Sequence, residues 1–141
     1  MSDLVGHCLC VAVRISADEK PRAVEICQCT MCRRWGGGFY AGISIEDPVI
    51  EGDEDISRYR SSEWAERAFC RQCGSNLWFT FLPTGHRSFC AGLFEDLADA
   101  GIEKEIFCDS AVGWSTITGA HEWQTGDQVI AAAEAEGFTF D

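Results

Sequence analysis

Seven of the nine cysteines stand in three tight groups. Cys8 and Cys10 form a C-x-C pair. Cys27, Cys29 and Cys32 form C-x-C-x-x-C. Cys70 and Cys73 form C-x-x-C, followed by Gly74. Nine is an odd number for a disulfide framework. The start, Met1-Ser2-Asp3-Leu4, lacks the basic residues and apolar run of an export signal. A cytoplasmic protein is therefore expected. In a reducing compartment, clustered cysteines hold metal more often than they pair. Thiolates bind zinc tetrahedrally with sulfurs about 2.3 Å from the ion, and short spacings on tight turns meet that need.

Seven ligands divide as four plus three. Cys8, Cys10, Cys70 and Cys73 would close a structural four-thiolate zinc site. Cys27, Cys29 and Cys32 would hold a second zinc with one position open, as reactive sites do. The alternative is a second structural site completed by a histidine, and His7, His86 and His121 are the candidates. Three thiolates around Zn²⁺ leave a net negative charge. Such an ion activates water poorly, whereas hydrolytic zinc keeps mainly neutral ligands. It can still deprotonate a fourth thiol, and the thiolate is the nucleophilic form. The open position thus suits a thiol from solution.

Basic residues gather beside these groups. Arg33 and Arg34 follow Cys32, and Arg67 and Arg71 flank Cys70. They read either as compensation for anionic zinc–thiolate clusters or as a pocket for a carboxylate-bearing thiol. Trp35 is a candidate for the pocket rim. Cys90 and Cys108 stand alone and read as small buried apolar residues.

The rest of the chain must position these groups. It has 141 residues, the size of one domain. A net charge of −12 argues against phosphate-backbone binding and anionic membrane surfaces. No apolar run approaches the roughly 18 residues of a membrane span. Short strands are expected at 7–15, 23–27, 39–45, 56–59, 64–69, 77–81, 88–91 and 105–108. A short helical turn is expected at 30–35, and a helix at 127–136 capped by Asp127, with Val129, Ile130 and Ala133 on one face. The acidic stretch 46–55 reads as a solvated loop around a short strand. Many short strands at close spacing imply a mainly β domain.

Three runs carry a family resemblance: Gly6-His7-Cys8-Leu9-Cys10, Cys27-Gln28-Cys29-Thr30-Met31-Cys32-Arg33, and Phe69-Cys70-Arg71-Gln72-Cys73-Gly74-Ser75-Asn76-Leu77. Together they resemble the glutathione-dependent formaldehyde-activating enzyme family, also called the centromere protein V family. Ala91–Asp96 and the stretch from Ile106 to Trp114 are similar to its tail, so the resemblance spans about residues 5–125. It implies one β-tent domain of short antiparallel strands over 1–141. It implies a structural zinc on Cys8, Cys10, Cys70 and Cys73, and a catalytic zinc on Cys27, Cys29 and Cys32. The implied activity joins glutathione to formaldehyde, giving S-hydroxymethylglutathione, and is classed as a carbon–sulfur lyase. The partners would be a glutathione-like thiol and a small aldehyde. Val11 departs from the pattern, where glycine often follows the C-x-C pair, and a change in strand packing is expected there. Gly113 stands where a proline commonly precedes the tryptophan. The competing reading is a non-catalytic zinc module, acting as thiol carrier or protein-interaction domain.

Overall fold

A computed structural model describes residues 3–140. The chain forms two compact units, each drawn from two separate stretches. One unit takes the residues up to Arg22 together with Ile43–Ala100. The other takes Ala23–Gly42 together with the residues from Gly101 onward.

In the first unit, β1 (Leu4–His7) pairs antiparallel with β2 (Arg14–Ala17), which pairs antiparallel with β5 (Val49–Glu51). A four-stranded antiparallel meander follows: β6 (Ile56–Arg60), β7 (Ala65–Cys70), β8 (Asn76–Phe81) and β9 (His86–Cys90). Leu4, Val13, Ile15, Leu77, Trp78 and Phe89 are among the buried apolar side chains. Along β1 and β2 buried positions alternate with more exposed ones, the period-2 signature of a strand with one face covered. Gly6 lies flat against the Phe94 ring and the Leu93 carbonyl, so any side chain there would collide.

In the second unit, β10 (Gly101–Ile106) pairs parallel with both β3 (Ala23–Cys27) and β11 (Glu122–Gln124). On its other edge β3 pairs antiparallel with β4 (Tyr40–Ile43). A short helix, α1 (Thr30–Gly36), joins β3 to β4, and its end is closed by Gly37 in the left-handed region at φ 89°. A second helix, α2 (Gly126–Ala135), stands near the C-terminus.

The protein is mainly β with a short C-terminal helix, as expected. Three particulars differ. The expected strand 7–15 is broken by a turn over residues 8–13, because the Cys8 and Cys10 sulfurs meet 3.7 Å apart. An extended strand would separate alternate Cβ atoms by nearly 7 Å. The cap of α2 is Thr125, not Asp127. Its hydroxyl accepts from the Gln128 amide while the Gln128 side chain accepts from the Thr125 amide, a reciprocal box. The strands β1 and β11 lie largely outside the expected set. Among the described residues no helix is long and apolar enough to cross a membrane.

Candidate metal centres

Two hairpin turns build the first cysteine group. The turn between β1 and β2 carries Cys8 and Cys10. It is tied by Cys8 N donating to the Val13 carbonyl (3.1 Å) and Val11 N to the Cys8 carbonyl (3.1 Å). This geometry places Val11 at φ 67°, a region L-residues avoid. Val11 therefore acts on a turn and not on strand packing. Gly52, at φ 92°, runs so close to this turn that a β-carbon there would collide with the Ala12 carbonyl. The turn between β7 and β8 carries Cys70 and Cys73. There Gly74, at φ 80°, donates to the Cys70 carbonyl (2.8 Å), and Cys70 N donates to the Ser75 carbonyl (2.9 Å). Leu9 N donates to Ser75 Oγ (3.0 Å), which fastens one turn to the other.

The four sulfurs lie within 4.8 Å of one another. Cys8–Cys10 and Cys10–Cys70 are each 3.7 Å apart. A tetrahedron with 2.3 Å metal–sulfur bonds has edges of about 3.8 Å, so the spacing fits zinc. Val13 N donates to Cys8 Sγ (3.3 Å), and the Ser75 hydroxyl lies 3.2 Å from Cys73 Sγ. Without metal the sulfurs must share protons. The Ala12 amide favours the Cys10 thiolate, but burial and the sulfurs of Cys70, Cys73 and Cys8 push Cys10 up to about 12. Burial opposes the Cys73 thiolate, yet the hydroxyl and amide of Ser75 hold it down to about 5. A metal ion replaces those shared protons.

The second group is local. Cys27 ends β3, Cys29 caps α1, and Cys32 is buried in its first turn. Their sulfurs also lie within 4.8 Å of one another. Cys29 Sγ accepts from the Cys32 amide (3.3 Å). The Cys27 and Cys32 sulfurs beside it hold Cys29 down to about 2, while Cys29 and Cys32 push Cys27 far up. Both groups can thus hold a metal ion, one through four thiolates and one through three.

None of the histidines joins either group among the described residues. The His7 Nδ1 lies 2.7 Å from the Cys8 carbonyl, and the exposed His86 ring meets Ser44 Oγ at 3.3 Å. His121 is buried and meets the buried Glu105 carboxylate at 2.9 Å, with the Trp123 ring tilted 31° against its own at 4.1 Å between centroids. Of the arginines beside the cysteines, Arg67 is buried, lies over the Phe79 ring and donates to Ser61 Oγ. Arg71 pairs with Asp55. Arg33 donates to the Ser110 carbonyl (3.0 Å), Arg34 is exposed, and Trp35 stacks on Tyr40 at 5.2 Å. Cys90 closes β9, where burial pushes its thiol up, and Cys108 opens a 3-10 turn. All nine cysteines are free thiols.

One positioning residue is absent from the sequence-based set. Gln28, between two of the ligands, is only 2% exposed. Its Nε2 donates to the Ser115 carbonyl (2.9 Å), and Ser115 Oγ donates back to Gln28 Oε1 (3.2 Å). A signal was present. In an extended segment the side chain between two cysteines points away from both sulfurs, and a buried amide there requires partners.

The chain is similar to known proteins along most of its length. It is 30% identical over 111 residues to an uncharacterised lyase of Schizosaccharomyces pombe, covering 77% of this chain and 81% of that protein. It is 34% identical over 85 residues to a Halomonas elongata protein named as a glutathione-dependent formaldehyde-activating enzyme, covering 53% and 54%. A crystal structure of a Rhodobacter sphaeroides protein shares the fold with a TM-score of 0.54 at 24% identity, covering 70% of this chain and 98% of that one. The family model of the glutathione-dependent formaldehyde-activating enzyme matches residues 3–110, which includes all seven clustered cysteines and stops short of Trp114. By that match, the chain belongs to the glutathione-dependent formaldehyde-activating enzyme family.

Proposed function

We propose that the protein is a zinc-dependent enzyme of carbon–sulfur lyase type that adds glutathione, or a similar thiol, to formaldehyde or another small aldehyde. The observation that carries this reading is the inequality of the two cysteine groups: one gathers four sulfurs and the other three. Cys8, Cys10, Cys70 and Cys73 would hold a structural zinc. Cys27, Cys29 and Cys32 would hold the zinc that serves the reaction. Bound there, zinc supplies a coordination position that favours the thiolate form of an incoming thiol. In the reaction the thiol sulfur bonds to the aldehyde carbon, and the thiol proton ends on the former carbonyl oxygen.

The chain's residues prepare this site. The Cys32 amide on Cys29 Sγ orients one ligand and spreads its charge. Arg33 and Arg34 offset the negative charge of three thiolates and are the groups we assign to the thiol's carboxylate. Trp35, fixed on Tyr40, borders them. The relatives' names, a lyase and a glutathione-dependent formaldehyde-activating enzyme, support the same reaction class.

The test is metal analysis joined to thiol titration. Two zinc ions per chain are expected. In the Co²⁺-substituted protein, glutathione should shift the absorption bands of one site and leave the other unchanged. Faster exchange between formaldehyde and S-hydroxymethylglutathione than in buffer, followed by NMR, separates an enzyme from a thiol carrier. Two closed tetrahedral sites indifferent to glutathione would sink the proposal.

A further inference from the structure

The chain after β10 folds back over the three-cysteine loop and grips it twice. Arg33 holds the Ser110 carbonyl, and Gln28 holds both the carbonyl and the hydroxyl of Ser115. Between these anchors lies Trp114. Its backbone is fixed, because Ser115 N donates to the Val112 carbonyl (2.9 Å) and Thr116 Oγ1 to the Gly113 carbonyl (3.3 Å). Its side chain reaches Gly38, just past α1. A β-carbon on Gly38 would stand 3.6 Å from Trp114 Cζ3, an ordinary van der Waals distance, so the ring edge lies beside this residue. Yet Trp114 stays 71% exposed. A tryptophan carries roughly 150–250 Å² of surface and contributes by burying it. Here the backbone is held in place and the ring is left wet, although Ser115 and Gln28 are buried. Nothing in the proposed chemistry at sulfur uses it.

We infer that Trp114 is a specificity-determining residue, an aromatic platform for the peptide-like body of the thiol substrate. The inference rests on the reading of Cys27, Cys29 and Cys32 as the thiol-binding group. A tripeptide thiol has flat amide planes that can lie on an indole face, and its desolvation there adds contact energy. A small thiol such as 2-mercaptoethanol has no such surface. Trp114 thus selects peptide thiols over small ones, while the cysteines bind the sulfur of either. Trp114 lies beyond residue 110, where the match to the family model ends.

Calorimetric titration of the zinc-loaded full chain tests this without turnover. Glutathione and 2-mercaptoethanol are the probes. Trp114→Ala should weaken glutathione about tenfold, on the scale of one aromatic contact, and leave 2-mercaptoethanol within about twofold. Trp114→Phe should retain most of the glutathione affinity. Trp114→Leu keeps apolar bulk without a ring, and serves if the alanine variant melts early. If glutathione binds and no variant weakens it, or if both thiols weaken equally, the platform is refuted and the proposed function stands. If the wild-type protein binds neither thiol, the proposed function itself fails.

Discussion

Replacing Cys70 by serine should unfold the protein, whereas replacing Cys29 by serine should not. Cys70 is fully buried, and its sulfur stands 3.7 Å from Cys10, close to the ~3.8 Å edge of a zinc–thiolate tetrahedron. Beside the Cys10 amide, which favours the Cys73 thiolate, the turn holding Cys8 and Cys10 is fastened to the turn holding Cys70 and Cys73 by the bond from Leu9 N to Ser75 Oγ. That bond is worth about 1 kcal/mol net. Structural zinc in small peptides binds with ~10–16 kcal/mol, and a whole domain is stable by ~5–15 kcal/mol. Loss of the ion therefore removes stabilisation as large as the total. Cys27, Cys29 and Cys32 lie within one short loop that is also held by hydrogen bonds from Gln28 and Arg33. Loss of that ion should leave a cooperative melt. The assay is zinc content beside thermal unfolding followed by circular dichroism. Cys70→Ser should lose the sigmoidal transition, and Cys29→Ser should keep it while holding one zinc fewer. A Cys70→Ser variant with full zinc and an unchanged Tm would refute the structural assignment.

Three further substitutions test the supporting structure. Val11→Gly removes a left-handed β-branched residue costing roughly 1–2 kcal/mol against an added unfolded-state entropy of about 0.5–1 kcal/mol; since Val11 is exposed, Tm should rise by roughly 1–4 °C, and a fall would refute strain at the turn. His121→Ala strands the buried Glu105 carboxylate and should cost about 3–5 kcal/mol, with Glu105→Gln in the same chain recovering part of it; an unchanged denaturant midpoint would show that the pair does not matter. Gln28→Ala should cost about 1–3 kcal/mol by freeing buried groups of Ser115 and should weaken glutathione with both zinc ions retained; unaltered stability would refute the grip on the 110–115 segment.

The sequence carried the two cysteine groups openly, because sulfurs that could share a metal ion need short local spacing and three short motifs sufficed. It also carried most strands. Ala23–Cys27 matches to the residue, and β6 to β9 lie within two residues of expectation. The failure at 7–15 has a physical cause. The run from Cys8 to Ile15 alternates like a strand, but two sulfurs converging on one point override that pattern with a turn. The parallel pairing of β10 with β3 was hidden for another reason: strand partners are chosen across 78–79 residues, and periodicity specifies a face, not a neighbour. The Gln28–Ser115 bonds, 87 positions apart, and the Glu105–His121 pair, 16 apart, lie beyond local pattern altogether.

The two cysteine groups divide stability from chemistry through their chain separation. Cys10 and Cys70 are 60 residues apart, so an ion joining them closes a long loop that the unfolded chain must pay in entropy. Cys27 and Cys32 are neighbours, and an ion there closes almost nothing. On the proposed reading, binding energy at the first group would go into folding, while at the second it would remain for the ligand that takes the open position. The cost of a vacant position falls on the local scaffold instead. That scaffold comes from the other end of the unit: Ile106 accepts from the Gln28 amide (3.0 Å), Ser110 accepts from Arg33, and Ser115 is held by Gln28. A reactive loop braced by one continuous stretch of chain, 106–115, couples the metal ligands to the segment that bears Trp114. Changes in that stretch should therefore alter thiol preference before they alter zinc content.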